Sequence, residues 1–206
     1  MTTSSTVYFY WAIRVFTAGH CLLRQTNLND IAWDGSSITG HRVEHSVEKY
    51  LITREEIEAY EGVSKTHFLN DNARRINKSL GDLTGLTGFG FHIIEVEPGF
   101  ESTEFHRHFH EDECIYILEG TCQASIGDQK LSAKAGDFIG YRAGGEAHSL
   151  YNNGDQLLRC IVVGQRSSHD VGEYPKLNKR IYRHKDMPWN LVDIDKIEEP
   201  NAGNKV

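Results

Sequence analysis

From residue 89 onward, apolar and polar residues alternate in short segments that are separated by turn residues. Phe89, Phe91 and Ile93 share one side of the first segment, and Pro98 with Gly99 ends it. A period of two residues is typical of β-strands that bury one face. The pattern predicts further strands at about 113–119, 121–126, 129–133, 137–141, 146–151 and 156–164. Strands at this spacing indicate an antiparallel sandwich or barrel.

The part of the chain before these strands predicts one short helix. Thr53 and Glu56 have the spacing of a capping box, and Gly62 follows as a stop signal. Residues 63–88 show no regular period, and we interpret them as irregular. The polar tail after about residue 185 is expected to fray.

These patterns divide the chain into three parts. We predict a mostly irregular N-terminal extension over residues 1–70 with a short helix near 53–61, a barrel over 71–170 and a C-terminal extension over 171–206. A length of 206 residues suits one domain with such extensions better than two full domains.

Composition excludes one class of binding partner and indicates a cellular location. With 29 Asp+Glu against 22 Lys+Arg the net charge is −7, and nucleic acid is not expected as a partner, because phosphate binding needs a basic surface. The four cysteines contain no CxxC pair, so reduced thiols and a cytoplasmic location are the simplest expectation.

The N-terminal residues contain an apolar run that is too short for a membrane span. The run over residues 7–13 stops at Arg14, whereas a span needs about 20 apolar residues. Residues 1–6 carry no positive charge, which disfavours a secretory signal, and residues 18–21 resemble a lipoprotein cleavage site only faintly. We therefore expect no membrane partner and a loosely docked or partly disordered extension.

Four of the 11 histidines lie between residues 106 and 148 and provide candidate chemistry. His106 and His108 are two residues apart, so on a strand both point to one face. Glu113 opens the next predicted strand and can face the same interior, and His148 lies on a later strand. Three imidazoles and one carboxylate suit Fe, Mn, Ni, Co, Cu or Zn. Taken alone, a pair of histidines spaced in this way is more often a surface or interface pair.

These four residues belong to two glycine-containing motifs: Gly99-(6)-His106-Arg-His108-(4)-Glu113-(6)-Gly120 and Gly136-(5)-Arg142-Ala-Gly144-(3)-His148-(3)-Asn152. As a pair, with 15 residues between Gly120 and Gly136, they resemble the two motifs of the cupin superfamily in its microbial single-domain form. The chain departs from the usual motifs by one extra residue before His106, by Arg142 in place of proline and by one extra residue before His148.

The resemblance implies a fold and a ligand set. The fold is mainly β, a double-stranded β-helix (the jelly-roll or cupin barrel), which agrees with the predicted strands. The implied ligands of one divalent transition metal (Fe, Mn, Ni, Zn, Co or Cu) are His106, His108, Glu113 and His148. The metal would polarise a bound oxygen or activate O₂ or water.

Residues beside the implied ligands have other expected positions. His110 could replace one of the histidine pair, but the acidic residues after it favour a turn that leaves His110 at the barrel mouth. Strand alternation places Ile115 and Ile117 in the interior and Cys114 outside, which makes Cys114 a poor nucleophile. The remaining histidines, His67 and His92 among them, have no partner spacing and are interpreted as surface or core residues.

The resemblance leaves several functions open. The first hypothesis is a metal-dependent enzyme that acts on a small molecule in the barrel, as a dioxygenase-like oxidoreductase, an isomerase or a lyase. The alternatives are a non-catalytic small-ligand-binding or regulatory module, and a metal-free barrel that self-associates. No general base is evident beyond the ligands; Tyr141 and Arg142 are weak candidates, with a packing tyrosine and a solvated arginine as the alternative.

The resemblance also implies a homodimer. The aromatic residues Tyr8, Phe9, Tyr10 and Trp11 offer apolar surface that a partner copy would cover. Docking of the same segment on its own barrel is the competing explanation.

Overall fold

The computed structural model of the chain describes residues 49–200 and 202–203. The aromatic segment that starts at Tyr8 and the segment 18–21 lie outside the described residues. Within the described residues, no helix has both the length and the apolar character needed to cross a membrane.

The described residues form short helices and many strands. In chain order the elements are α1 (Arg54–Ala59), β1 (Val63–His67), β2 (Asn70–Ser79), α2 (Leu80–Leu83), β3 (Phe89–Val96), β4 (Arg107–His108), β5 (Glu113–Glu119), β6 (Thr121–Ile126), β7 (Gln129–Lys134), β8 (Phe138–Tyr141), β9 (His148–Tyr151), β10 (Leu158–Gln165), β11 (His169–Tyr174), β12 (Lys179–His184) and β13 (Asn190–Asp193), with 3-10 turns at Pro175–Leu177 and Ile194–Lys196.

Helix α1 begins where the capping box predicts. The Thr53 hydroxyl accepts a hydrogen bond from the Glu56 N–H at 3.3 Å, and the Glu56 carboxylate accepts one from the Thr53 N–H at 2.8 Å. This reciprocal pair satisfies two amides that the first helical turn leaves free. The predicted short helix is confirmed.

The strands pair into antiparallel sheets. Their orders are β1-β2-β3-β10-β5-β8, β13-β12-β11-β4 and β7-β6-β9. All seven strands predicted between residues 89 and 165 are confirmed, and so is the mainly β fold.

The interpretation of residues 63–88 as irregular is wrong, because β1, β2 and α2 lie there. Strand β2 pairs with β1 on one side and β3 on the other, through registers such as Thr66 with Arg74 and Asn77 with Ile94. Ten backbone positions of β2 therefore form sheet although its side chains are mostly polar. Hydrophobic periodicity detects only strands that bury an apolar face, and β2 buries Asn77 and Lys78.

The polar C-terminal part also contains strands. Strand β13 pairs with β12, with Leu191 opposite Ile181, so residues 190–193 are not a frayed tail. Strand β11 pairs with β12 and with the two-residue strand β4. The boundaries proposed above for the barrel and its extensions stay a prediction.

The apolar core lies among the strands that the sequence predicted. Its fully buried side chains include Val96, Ile117, Leu150 and Leu158. Ile115 and Ile117 point into the core as expected, while Tyr116 between them is exposed. Because side chains alternate along β5, Glu113 faces the same side as these two isoleucines.

Gly120 shows why the first motif ends in glycine. Its φ of 83° lies in the left-handed region, which favours glycine. A Cβ atom there would come within 2.6 Å of the Leu157 carbonyl oxygen. The residue permits the turn between β5 and β6 beneath the core.

Candidate metal centre

A backbone bridge brings two of the predicted ligands together. The His106 N–H donates to the His148 carbonyl at 3.1 Å, and the His148 N–H donates to the His106 carbonyl at 2.7 Å. The two imidazole rings lie 4.7 Å apart between centroids. Residues far apart in sequence therefore present their rings side by side.

The other two predicted ligands come from β4 and β5. His108 lies two residues after His106, and their Nε2 atoms are 3.1 Å apart. The chain between β4 and β5 is a turn, as predicted, and Glu113 opens β5. Its carboxylate Oε1 lies 3.6 Å from His148 Nε2. Donor atoms of His106, His108 and Glu113 all lie within 4.8 Å of one another, and His148, which is outside this group of three, adjoins it through Glu113 and the ring of His106.

Hydrogen bonds at the other ring nitrogens determine the tautomers. The Nδ1 atom of His106 lies 2.8 Å from the Glu104 carbonyl, that of His108 lies 2.7 Å from Asp170 Oδ2, and that of His148 lies 3.3 Å from the Glu146 carbonyl. A carbonyl or carboxylate oxygen only accepts, so each Nδ1 atom carries the ring proton. In its neutral form, each ring then presents the lone pair of Nε2 to the cluster.

This arrangement fits a metal ion. The lone pairs of His106 and His108 face each other at 3.1 Å with no proton between them. The buried Nε2 atom of His148 has no hydrogen-bond partner among the described residues. A divalent transition metal ion would pair all three nitrogens and the charge of Glu113.

Two groups of the cluster, His106 and Glu113, have the charge that metal binding requires. Burial, with the neighbouring His148, lowers the pKa of His106 to about 3, so the ring is neutral near pH 7. Burial of Glu113 disfavours its charged form, but the imidazoles around the carboxylate outweigh burial and hold its pKa below the ordinary value. The site thus combines the neutral ring of His106 with an ionised carboxylate.

Sequence reasoning missed the residues that hold His108. Asp170 on β11 is 2% exposed and accepts from His108 Nδ1, from Arg183 Nη2 at 2.7 Å and from the His110 N–H at 3.1 Å. Glu111 accepts from the same Arg183 and from the Ser167 N–H at 2.8 Å. Their charge was the only available signal: Asp170 is the last residue of the predicted barrel, and Arg183 lies in the predicted C-terminal extension.

His108, Glu111 and Asp170 form a second group with donor atoms close enough to hold an ion. Both carboxylates, however, already pair with the guanidinium of Arg183. The lone pairs without protons lie at the three Nε2 atoms instead. We therefore assign the candidate site to the imidazole set with Glu113.

The remaining candidates contribute no donor atom to the cluster. His110 is exposed, and its ring lies 5.4 Å from that of His169. Tyr141 is buried and stacks on His148 at 3.5 Å with an angle of 4°, a packing role, and burial raises the pKa of its hydroxyl. Arg142 is exposed. Burial likewise raises the pKa of Cys114, which makes it a weak nucleophile.

A cavity of about 570 Å³ adjoins the cluster and gives a small molecule access to it. His106, His108 and Glu113 form part of its wall. Polar residues of β2, Arg75 and Ser79 among them, form another part. The volume lies in the range of small-molecule sites.

Comparison with known proteins identifies the family. A family profile described as "Cupin domain" matches residues 92–164 of this chain. A protein of Acidithiobacillus ferrooxidans, provisionally named a sugar phosphate isomerase, is 44% identical; the match covers 73% of this chain and 96% of that one, with a TM-score of 0.71. A sugar phosphate isomerase of the cupin superfamily from Silicibacter pomeroyi has the same fold at 23% identity, covering 66% of this chain and 88% of that one, with a TM-score of 0.59.

No curated protein matches the chain significantly. The profile match spans the two motifs from which the resemblance was inferred, the 44% identical relative covers most of the chain, and the strand order supports the same assignment. The chain belongs to the cupin superfamily.

Proposed function

We propose that this protein is a metal-dependent isomerase of phosphorylated sugars. The observation that carries the proposal is the cluster of three histidine Nε2 lone pairs and one carboxylate, of which His106, His108 and Glu113 line a cavity of about 570 Å³. The name of the 44% identical relative supports isomerisation over the oxygenase and lyase reactions that the sequence left open.

His106, His108, Glu113 and His148 would hold the metal. A divalent ion in this place supplies Lewis acidity toward a carbonyl or hydroxyl oxygen of the substrate. Asp170 holds the ring of His108 in one orientation and one tautomer, and Arg183 neutralises Asp170. The donor set is thus preorganised by the chain itself.

Isomerisation of a sugar needs no external oxidant, because a hydrogen moves to the neighbouring carbon while a carbonyl and a hydroxyl exchange places. A proton donor near the substrate oxygen assists this exchange. His92 on β3 lines the cavity and is the best candidate for this role. Burial, with the charge of Arg166, lowers its pKa, so the ring is neutral at pH 7.

Two neighbours of His92 set the position of its proton. Asn77 Nδ2 donates to Ser79 Oγ at 2.8 Å, and Ser79 Oγ lies 3.0 Å from His92 Nδ1. Asn77 Nδ2, an amide nitrogen that only donates, also lies 3.3 Å from His92 Nδ1, so Nδ1 accepts and the ring proton of His92 lies on Nε2. In this state His92 can donate to a substrate oxygen and take the proton back.

The proposal is tested by elemental analysis of the purified protein, followed by a turnover screen with aldose and ketose phosphates. Activity should vanish after chelation and return with one of the metals Fe, Mn, Ni, Co, Cu or Zn. His148→Ala should abolish turnover, whereas His110→Ala, which changes an exposed histidine outside the cluster, should retain it. Small-ligand binding without turnover, unchanged by chelation, would identify a non-catalytic binding module instead.

We also propose that the protein is a homodimer. Cupin membership and an exposed aromatic pair support this, since Tyr116 of β5 and Phe138 of β8 lie opposite each other on the outer face of the sheet. Light scattering at micromolar concentration should give twice the mass of the chain. A monomer mass there would disprove the dimer.

A further inference from the structure

One wall of the cavity carries positive charge that the metal site does not use. Lys65 on β1 and Arg75 on β2 are register partners in the antiparallel pair, and both line the cavity. Directly opposite side chains in such a pair have Cβ atoms about 5 Å apart, and like charges in these positions repel each other. The fold therefore brings two cations together beside the candidate metal ligands.

Neither cation has an acidic partner in the part of the chain that the structure describes. The other cavity arginines are neutralised: Arg166 pairs with Asp82 at 2.6 Å, and Arg183 pairs with Asp170 and Glu111. No ion pair within 4.0 Å involves Lys65 or Arg75 among the residues described. Arg75 thus differs from the other two cavity arginines because no carboxylate lies within ion-pair distance of it, although the charge of Glu113 acts on it from farther away.

The guanidinium of Arg75 is also left with unused hydrogen-bonding capacity. Its Nη1 atom donates to the Ser102 carbonyl at 2.5 Å, whereas its buried Nε atom has no partner among the described residues. A buried charge without a partner is costly, and burial accordingly lowers the pKa of Arg75. An anion in the cavity would supply both the missing charge and the missing acceptors.

The position of Arg75 relates this anion to the candidate metal site. Arg75, Asn77 and Ser79 alternate along β2 and all line the cavity that His106 and His108 also line. A ligand bound to Arg75 at one group therefore lies in the same chamber as the Nε2 atoms. This is the arrangement that a substrate with one anionic end and one reacting end requires.

We infer that Arg75 and Lys65 bind the anionic group of the substrate, and, resting on the function proposed above, that this group is the phosphate of a sugar phosphate. The planar guanidinium can donate two parallel hydrogen bonds to phosphate oxygens, and the Lys65 ammonium adds a point charge. A carboxylate would offer similar oxygens, so the test separates the two anions.

The probe is inorganic phosphate, titrated by calorimetry into the protein as purified, with its metal content measured before and after. Arg75→Met should weaken phosphate binding by about tenfold or more, because charge-assisted hydrogen bonds are lost. Lys65→Met should weaken it less, since Lys65 is exposed. If Arg75→Met does not fold, the Lys65→Met variant still tests the site.

Arg74→Met is the matched control. Arg74 is the next residue of β2, on the opposite face, where its Nε atom donates to the Asp71 carbonyl at 2.6 Å. Like Arg75→Met, the Arg74→Met variant removes one positive charge, but it does not change the cavity. Its phosphate affinity should stay within about twofold of wild type. Equal losses in Arg74→Met and the two cavity variants would refute the site, as would wild-type protein that binds no phosphate. Displacement of phosphate by equimolar acetate would overturn the phosphate assignment.

The isomerase proposal and the anion-site proposal can be disproved independently of each other. Phosphate binding that depends on Arg75, in a protein that turns over no sugar phosphate, would refute the isomerase and retain the anion site. Turnover of sugar phosphates with an unchanged KM in Arg75→Met would refute the anion site and retain the isomerase.

Discussion

The candidate site is built from two regions with different chemistry. The region from β3 to β10 contains the four predicted ligands, on or beside strands that also carry the apolar core. The region from β11 to β13 contributes no ligand to the assigned set but supplies Asp170, Arg183 and Glu173. Ligand atoms and the charges that orient them thus come from separate parts of the chain.

The second region acts through ion pairs. Glu173 is buried and accepts from Arg107 Nε at 2.8 Å and from Arg180 Nε at 2.9 Å. Strand β4 has only two residues, so these contacts and the Asp170–His108 bond hold it against β11. The two-residue strand β4 can thus hold the ligand His108 in place, because the neighbouring strand β11 supplies buried charged residues.

The largest expected effect comes from removing a ligand in the first region. His108→Ala or His148→Ala should reduce bound metal to a small fraction of one ion per chain, because each ligand also orients its neighbours. Elemental analysis after gel filtration measures this, with His110→Ala as the control. Wild-type metal content in either ligand variant would refute the assigned set.

A smaller effect is expected from the second region. Asp170→Asn should weaken metal affinity by about 10–100-fold, because the amide no longer supplies the negative charge that supports the His108 tautomer. Competition with a chromophoric chelator gives the affinity, and Asp82→Asn, which changes an exposed partner of Arg166, is the control. Unchanged affinity in Asp170→Asn would show that His108 does not need β11.

Gly120→Ala tests whether a motif residue of the first region is structural. Strain at φ 83° and the clash with the Leu157 carbonyl should lower the free energy of unfolding by about 1–3 kcal/mol. Urea unfolding measures this loss, and metal content should stay at the wild-type level. Gly136→Ala, at φ 93° but with no atom near its Cβ position, should cost less.

The smallest expected effect is a change in the stability of the folded state with pH. Burial lowers the pKa of His67 to about 4, and burial with the neighbouring His148 lowers that of His106 to about 3, whereas both are near 6.5 in the unfolded chain. The unfolded state then binds more protons below pH 6.5, so the stability of chelated protein should fall as pH decreases from about 6.5 to 4. His67→Phe should make this slope shallower in thermal unfolding. A melting temperature that stays constant over that range would contradict the burial of both rings.

The sequence predicted most of the fold because β3 and β5 to β10 bury apolar faces. Alternation along β5 correctly placed Ile115 and Ile117 inside and Tyr116 outside. It missed β2, which the sheet stabilises through backbone pairing on both sides while its polar side chains line a cavity. In a strand whose polar side chains line a cavity, apolar and polar residues do not alternate, so hydrophobic periodicity cannot detect it.

For the candidate site, the sequence by itself determined the donor types and the strands that carry them, since a spacing of two residues and two motifs are local properties. Only the tertiary structure decided that Asp170 meets His108, 62 residues away, and that Lys65 and Arg75 share a wall with His106. Electrostatic contacts act through space between distant strands, and burial decides which charges remain without a partner. Neither property leaves a pattern along the chain.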